Sequence, residues 1–332
     1  MNVEATIEGV TDLRNPLPDI SGPISHAERI QQILEVLGSK LGPEPYGSLA
    51  SEMVSPIGET DRLALVGLML SLPHPMGHIL FRTSANLNQI SQDAATHNAL
   101  ETMYVGPNRN GITEVGNNFL WARLMIENVH NSMAVRNRLR QVKQEFRCFI
   151  DDFAGDADSI NVLSVAAGSS RGLLEEVAAQ PPQIRSNIRL KLIDVAPEAG
   201  EDAGRLARQL GIGDLVETVT ANVLKVNSYL KEGYKAHFIE VVGLLDYLED
   251  RHAVNLLGRL SSCLIKGGMI LCSNIRPNDE ERFTHQIVGW PEMKYRPAET
   301  LVAFVQQAGF SADAIRLIPE PLGIYNIVSA RR

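Results

Sequence analysis

The sequence predicts an α/β fold: a mostly parallel sheet of about seven strands with a reversed C-terminal strand, preceded by an α-helical N-terminal domain. Three observations carry this expectation. From Ser159 onward, short β-branched runs alternate with helical runs, the pattern of a parallel sheet covered by helices on both faces. The last two strand-like runs, AIRLIPEP and GIYNIVSA, are joined by a few residues around Leu322 and Gly323. A parallel crossover needs a dozen or more residues, so this pair must be antiparallel. The first half of the chain shows helical periodicity and no such alternation.

Composition bounds the rest. The chain has 332 residues, enough for two domains and a core that needs no staples. Apolar residues make up 44% and charged residues 21%, which excludes a disordered, collagen-like or coiled-coil chain. Cys148, Cys263 and Cys272 form no CxxC pair. Buried, reduced thiols are expected, with no disulfide framework and no metal. Acidic residues outnumber basic ones 39 to 31, and neither half is basic, so a nucleic-acid partner is not expected. The N-terminus lacks a basic segment followed by an apolar run, so no signal peptide is expected. The most apolar window, Leu63 to Phe81, contains Pro73, His74, Pro75 and His78 and is not expected to span a bilayer. These readings point to a soluble, cytoplasmic protein.

Along the chain, residues 1–24 read as an extended arm and residues 25–130 as a helical lid or dimerisation domain. Ser25 is placed to cap a helix with Ile30, Ile33, Leu34 and Leu37 on one face, ending at Gly38. Further helices are expected over 58–72, 83–103 and 117–150, with Gly106, Pro107 and Gly111 marking a loop. In the last helix Val135, Leu139, Val142, Phe146 and Phe149 form an apolar stripe. Arg136, Arg140, Lys143 and Arg147 form a basic one. That stripe is either a solvated face or meets acidic groups of the other domain, a second copy or an anionic substrate.

The sheet half begins with INVLSVAA and GLLEEVAAQ, followed by IRLKLIDV, LVETVTANV, KAHFIEVVG and GGMILCSNI with helices between. At the first strand-to-helix junction stand Ala166, Ala167, Gly168, Ser169, Ser170, Arg171 and Gly172. Small residues there let a ligand approach the backbone, and the next helix offers free N–H groups. The run is not a dinucleotide GxGxxG, and no GK[ST] is present, so phosphate binding has little support. Asp194 ends the second strand, 26 residues after Gly168. An acid at such a strand tip accepts both hydroxyls of a ribose, or else caps the helix that Pro197 and Glu198 open. Asn222 and Val223 close the third strand, facing a base or simply forming a turn.

Together these pieces resemble the class I S-adenosylmethionine-dependent methyltransferases, whose sheet is Rossmann-like. The resemblance covers about residues 131–332 and rests on VLSVAAGSSRG, LKLIDVAPEA, VGLLDYL, the helix leading into KGGMILCSN, and WPEMKYRPAETLVAFVQQAGF. The upstream phrase NSMAVRNRLRQV resembles a bacterial group related to extracellular-factor (3-hydroxy-palmitate methyl ester) biosynthesis methyltransferases. The resemblance implies that Ala166, Gly168 and Ser169 line the methionine and ribose part of S-adenosyl-L-methionine. It implies that Asp194 binds the ribose diol, with Val195 beside the adenine. Asn222 and Val223 would hold the adenine edge, and Val242 and Gly243 would pass near the sulfonium. One departure stands out: many relatives carry an acid where this chain has Ser164.

The implied activity is methyl transfer to a small molecule: a fatty or other carboxylic acid, or a hydroxyl. A carboxylate needs no base, whereas a hydroxyl must lose its proton. Asp246, Tyr247 and His285 are the candidate catalytic residues. Asn274, Arg276, Trp290 and Tyr295 are further candidates on the acceptor side. For His285 and Trp290 ordinary packing is the competing role. Arg276 or the stripe at Arg136 is placed to attract an acidic acceptor. Met69, Met76 and Met103 suit an apolar acceptor or ordinary core. Three rival readings remain: an NAD-dependent oxidoreductase, which lacks its glycine fingerprint here; a non-catalytic cofactor-binding or assembly protein; and an RNA or protein methyltransferase.

Overall fold

The computed structural model describes residues 57–332 apart from 109–110, 154–158, 229 and 231–232. The expected arm and the helix capped by Ser25 lie outside the described residues. The chain opens with α1 (Glu59–Ser71), α2 (Met76–Phe81), α3 (Ala85–Gln92), α4 (His97–Val105), α5 (Gly116–Asn128) and α6 (His130–Phe153). Then follow β1 (Ile160–Val165), α7 (Arg171–Ala179), β2 (Ile188–Asp194), α8 (Pro197–Gln209), β3 (Val216–Thr220) and β4 (Ala236–Val241). The chain closes with α9 (Asp250–Cys263), β5 (Leu264–Ile275), α10 (Ala298–Gln307), β6 (Ile315–Pro319) and β7 (Tyr325–Arg331).

The seven strands form one sheet in the order β3-β2-β1-β4-β5-β7-β6. Strands β1 to β5 pair in parallel, while β7 runs antiparallel to both β5 and β6. The order reverses between β1 and β4, and ligands of open α/β sheets bind at such a switch point, beyond the carboxyl ends of the strands.

The period of two along each strand sorts the core into two layers. Leu163, Val165, Ile239 and Val241 join α9 and α10 on one face. Val162, Leu190, Leu192 and Phe238 join α6, α7 and α8 on the other. A third cluster belongs to the N-terminal helices. It also includes Ile275, Phe283, Ile287, Ile324 and Tyr325 from the sheet half. The core therefore crosses the division drawn at residue 130, and the helices pack on the carboxyl edge of the sheet.

Two expected helices are each broken in two. The stretch 83–103 is interrupted between α3 and α4, where Ala95 takes a left-handed φ of 64°. Ser84 caps α3 by accepting the Leu87 N–H. The stretch 117–150 is interrupted at Val129, whose backbone is extended. The new helix start is held by a distant acid. The Glu280 carboxylate accepts the His130 and Asn131 N–H groups at 2.9 and 2.8 Å and also pairs with buried Arg62. This satisfies N–H groups that a helix start leaves free.

The basic stripe of α6 meets protein rather than solvent alone. Lys143 reaches Glu175 at 2.9 Å and Arg147 reaches Glu176 at 2.7 Å, both on α7. Arg136 turns inward to the Ile126 carbonyl at 2.8 Å. All three cysteines are free. Cys148 is exposed rather than buried, because it sits off the apolar stripe of α6. Among the described residues no helix is long and apolar enough to cross a membrane.

Candidate active site

The loop after β1 turns sharply through left-handed backbone at Ala166 (φ 53°), Gly168 (φ 53°) and Ser170 (φ 47°). At Gly168 a side chain would be strained, and its Cβ would stand 3.2 Å from the His97 Cβ. Asp194 ties this loop to the end of β2. Its Oδ2 accepts the Gly168 N–H at 2.8 Å and its Oδ1 accepts the Ala196 N–H at 2.9 Å. It does not cap α8, whose start at Ala196 has no side-chain cap. Helix α4 closes over the same loop. Glu101 accepts the Ser169 hydroxyl at 2.5 Å and pairs with Arg171 at 2.6 Å, and His97 Nε2 meets Asp202 at 3.0 Å.

A cavity of about 440 Å³ opens at this edge, between the ends of β1, β2 and β4 and the helices α3 to α6. Of the residues expected from sequence, Ala166, Gly168, Ser169, Asp194, Val195, Val242, Gly243, Asp246 and Tyr247 line it. Asn222, Val223 and His285 do not. The Asn222 side-chain Oδ1 accepts the Leu224 N–H at 2.9 Å, a turn asparagine, and Val223 is buried in the core. Both His285 ring nitrogens have partners: Nδ1 with the Trp290 carbonyl at 2.9 Å and Nε2 with the Tyr295 hydroxyl at 3.1 Å. Asn274 is scaffold, donating to Asp246 at 2.9 Å and accepting from Arg296 at 2.7 Å. Arg276 is exposed and lies outside the cavity lining. Trp290 lines the cavity and donates its indole N–H to the Tyr247 hydroxyl at 2.8 Å.

The floor of the cavity carries charged groups. Asp246 is 3% exposed. Its Oδ1 accepts from Asn274 and from the Ile275 N–H at 2.7 Å. Burial pushes its carboxyl up to about 6, against the pull of Arg138. Burial pushes the Tyr247 hydroxyl up to about 12, so it stays protonated while it accepts the Trp290 indole N–H. Glu240 from β4 accepts the Ser164 hydroxyl at 2.6 Å, and the two are register partners across the strands. Its carboxyl too is raised, by burial first, with Ser164 and Arg138 opposing. Glu240 thus faces Ser164 from the neighbouring strand.

The sequence reading missed Glu240, Arg138, Tyr104 and Tyr325, all of which line the cavity. For Arg138 a signal was present. It lies three residues after Val135 and four before Val142, on the apolar face of its helix, where an arginine needs a reason.

Residues 100–332 match the model of a family described as "Putative methyltransferase". The chain belongs to that family. The match begins inside α4, so the methyltransferase family region takes in α5 and most of the helix that closes over the β1 loop. A possible exported protein from Bordetella parapertussis shares the fold at a TM-score of 0.60 and 15% identity, over 94% of this chain and 99% of that one. A magnesium protoporphyrin IX methyltransferase from Synechocystis PCC 6803, solved with bound SAH, aligns at 0.49 and 13% identity over 70% and 93%. An O-methyltransferase family protein from Burkholderia thailandensis aligns at 0.47 and 14% identity, over 93% and 85%. A search of the curated proteins gives no match.

Proposed function

We propose that this methyltransferase moves a methyl group from S-adenosyl-L-methionine to a small acceptor seated in the same cavity. The observation that carries the reading is the junction itself: one cavity runs from the Gly168 turn and Asp194 to an apolar wall contributed by the N-terminal helices. The lining fits the cofactor. Asp194 is half-buried at a strand tip, with room at each oxygen for a further hydroxyl donor beside the backbone N–H it holds. Val195 is 68% exposed, an apolar patch of the kind an adenine ring covers. Ala166, Gly168 and Ser169 would hold the methionine and ribose part, and Val242 and Gly243 would lie by the sulfur. Glu240 and Asp246 suit the cationic ammonium and sulfonium. Asn222 and Val223 would take part only if the rim beyond Ala221 closes inward.

When bound, the cofactor supplies a methyl group on a positively charged sulfur, already activated for in-line displacement. The chain then has to align the acceptor and exclude water. The helices α3 to α6 do the excluding, which makes the described part of residues 25–130 a lid. For a hydroxyl acceptor Asp246 is placed to take the proton, since its raised carboxyl matches that task. His285 steers Trp290 and Tyr295 rather than touching the acceptor. Following the resemblance of the Asn131–Val142 phrase to the extracellular-factor group, we read the acceptor as a carboxylic acid or hydroxyl on an apolar molecule. The test is transfer of label from methyl-labelled S-adenosylmethionine to a panel of alkanoic acids, phenols and amines. Labelled ester or ether supports the reading; no transfer to any of these compounds, with intact cofactor binding, would replace it with the non-catalytic alternative.

A further inference from the structure

We propose that Arg138 receives the carboxylate of a small molecule in the cavity, with the apolar body of that molecule against the N-terminal helices. Arg138 lines the cavity, and its side chain is 3% exposed. A guanidinium carries five N–H donors, and burying it without matched acceptors is costly. Its surroundings leave that requirement open. The Asp246 Oδ2 is 4.0 Å from Nη1, beyond hydrogen-bond reach, and Nε has no hydrogen-bond partner. One face of the guanidinium stacks on the Tyr325 ring at 4.4 Å, and the Tyr104 hydroxyl accepts a hydrogen bond from it, which leaves the inner Nε edge of the fork open. The other cavity arginine, Arg171, is engaged by Glu101 and Glu175.

The neighbouring acids do not fill the fork: Asp246 stays beyond hydrogen-bond reach, and Glu240 is engaged by the Ser164 hydroxyl. A bidentate carboxylate answers the geometry of a planar fork. Arg138 is held rigidly for this, on the buried face of α6 and over the Tyr325 ring at the start of β7. A Cβ at Gly243 would lie 3.8 Å from both Nη1 and Nη2. The guanidinium is therefore close to the β4 tip, where methyl transfer is proposed. Beside it Met103, Val135 and Ile275 offer apolar wall.

The carboxylate has two sources under the proposed function: an acidic acceptor, or the methionine end of the cofactor. Calorimetry on the full chain separates them with two matched pairs, octanoate against octanamide and S-adenosylhomocysteine against its decarboxylated amine. We expect at least a tenfold preference for the carboxylate member of one pair. Arg138→Met should abolish that preference and leave the member without a carboxylate within about twofold, while Arg138→Lys keeps part of it. Preference within the first pair assigns Arg138 to the acceptor, and within the second to the cofactor. If Arg138→Met does not fold, Arg138→Lys reads the same effect, and a preference undiminished in that variant overturns the proposal. No preference in either pair, or a preference that survives Arg138→Met, overturns the proposal. If neither nucleoside binds, the cofactor reading fails, whereas the octanoate comparison still decides on Arg138.

Discussion

Asp194→Ala separates a structural role from a binding one. In the structure the carboxylate accepts two backbone N–H groups, from Gly168 at 2.8 Å and Ala196 at 2.9 Å. A hydrogen bond to a charged group contributes about 1.5–3 kcal/mol. Asp194 is half-buried, so the lower end applies, and the two together amount to about 3 kcal/mol of local stability. At about 2–4 °C per kcal/mol for a chain of this size, melting should fall by several degrees. Cofactor binding loses a separate contribution. The β1 loop is no longer held in its left-handed turns, and the ribose acceptors are gone. Affinity for S-adenosylhomocysteine should drop at least tenfold, about 1.4 kcal/mol. Asp194→Asn keeps one acceptor oxygen and should fall between. Scanning calorimetry and titration calorimetry read the two effects separately. A variant that melts lower yet binds S-adenosylhomocysteine as tightly as the native chain would refute the ribose role and leave Asp194 as a clasp between two loops.

Three further outcomes follow from the same geometry. Burial raises the Asp246 carboxyl from 3.8 to about 6, so the native state takes up a proton more readily than the unfolded one. This group therefore costs stability as pH rises through that window, and Asp246→Asn should gain on the native chain between pH 4 and 7 by at most about 3 kcal/mol in urea unfolding. Gly168→Ala forces a side chain into the left-handed turn against His97, at roughly 1–2 kcal/mol, and should weaken S-adenosylhomocysteine binding in titration calorimetry. Glu280→Ala leaves buried Arg62 without its innermost partner and the start of α6 without its acceptor. It should lower stability by about 3 kcal/mol in denaturant unfolding; a neutral result would show that the helices do not depend on this link.

The sheet was legible because its signals are local. Alternation of β-branched and helical runs gives the parallel strands, and the short link at Leu322–Gly323 gives the antiparallel pair. Helix breaks were not legible where long-range partners make them. Nothing near Val129 announces that Glu280 takes the His130 and Asn131 N–H groups. The cavity lining was legible along strand tips, at Gly168, Asp194, Val242, Gly243 and Asp246, since tips of a doubly wound sheet converge. It was less so where side chains cross between strands. Glu240 lies inside an apolar strand run and gains meaning only beside Ser164. Arg138 was hidden by the basic stripe around it, which pairs with α7. His285 lies outside the lining because a segment that covers a cavity need not aim each of its side chains into it.

The most direct measurement is titration calorimetry of the full chain with S-adenosylmethionine, S-adenosylhomocysteine and NAD. One site per chain is expected for each of the first two ligands and none for NAD, with the site weakened by Asp194→Ala. Binding of NAD without S-adenosylmethionine would contradict this expectation.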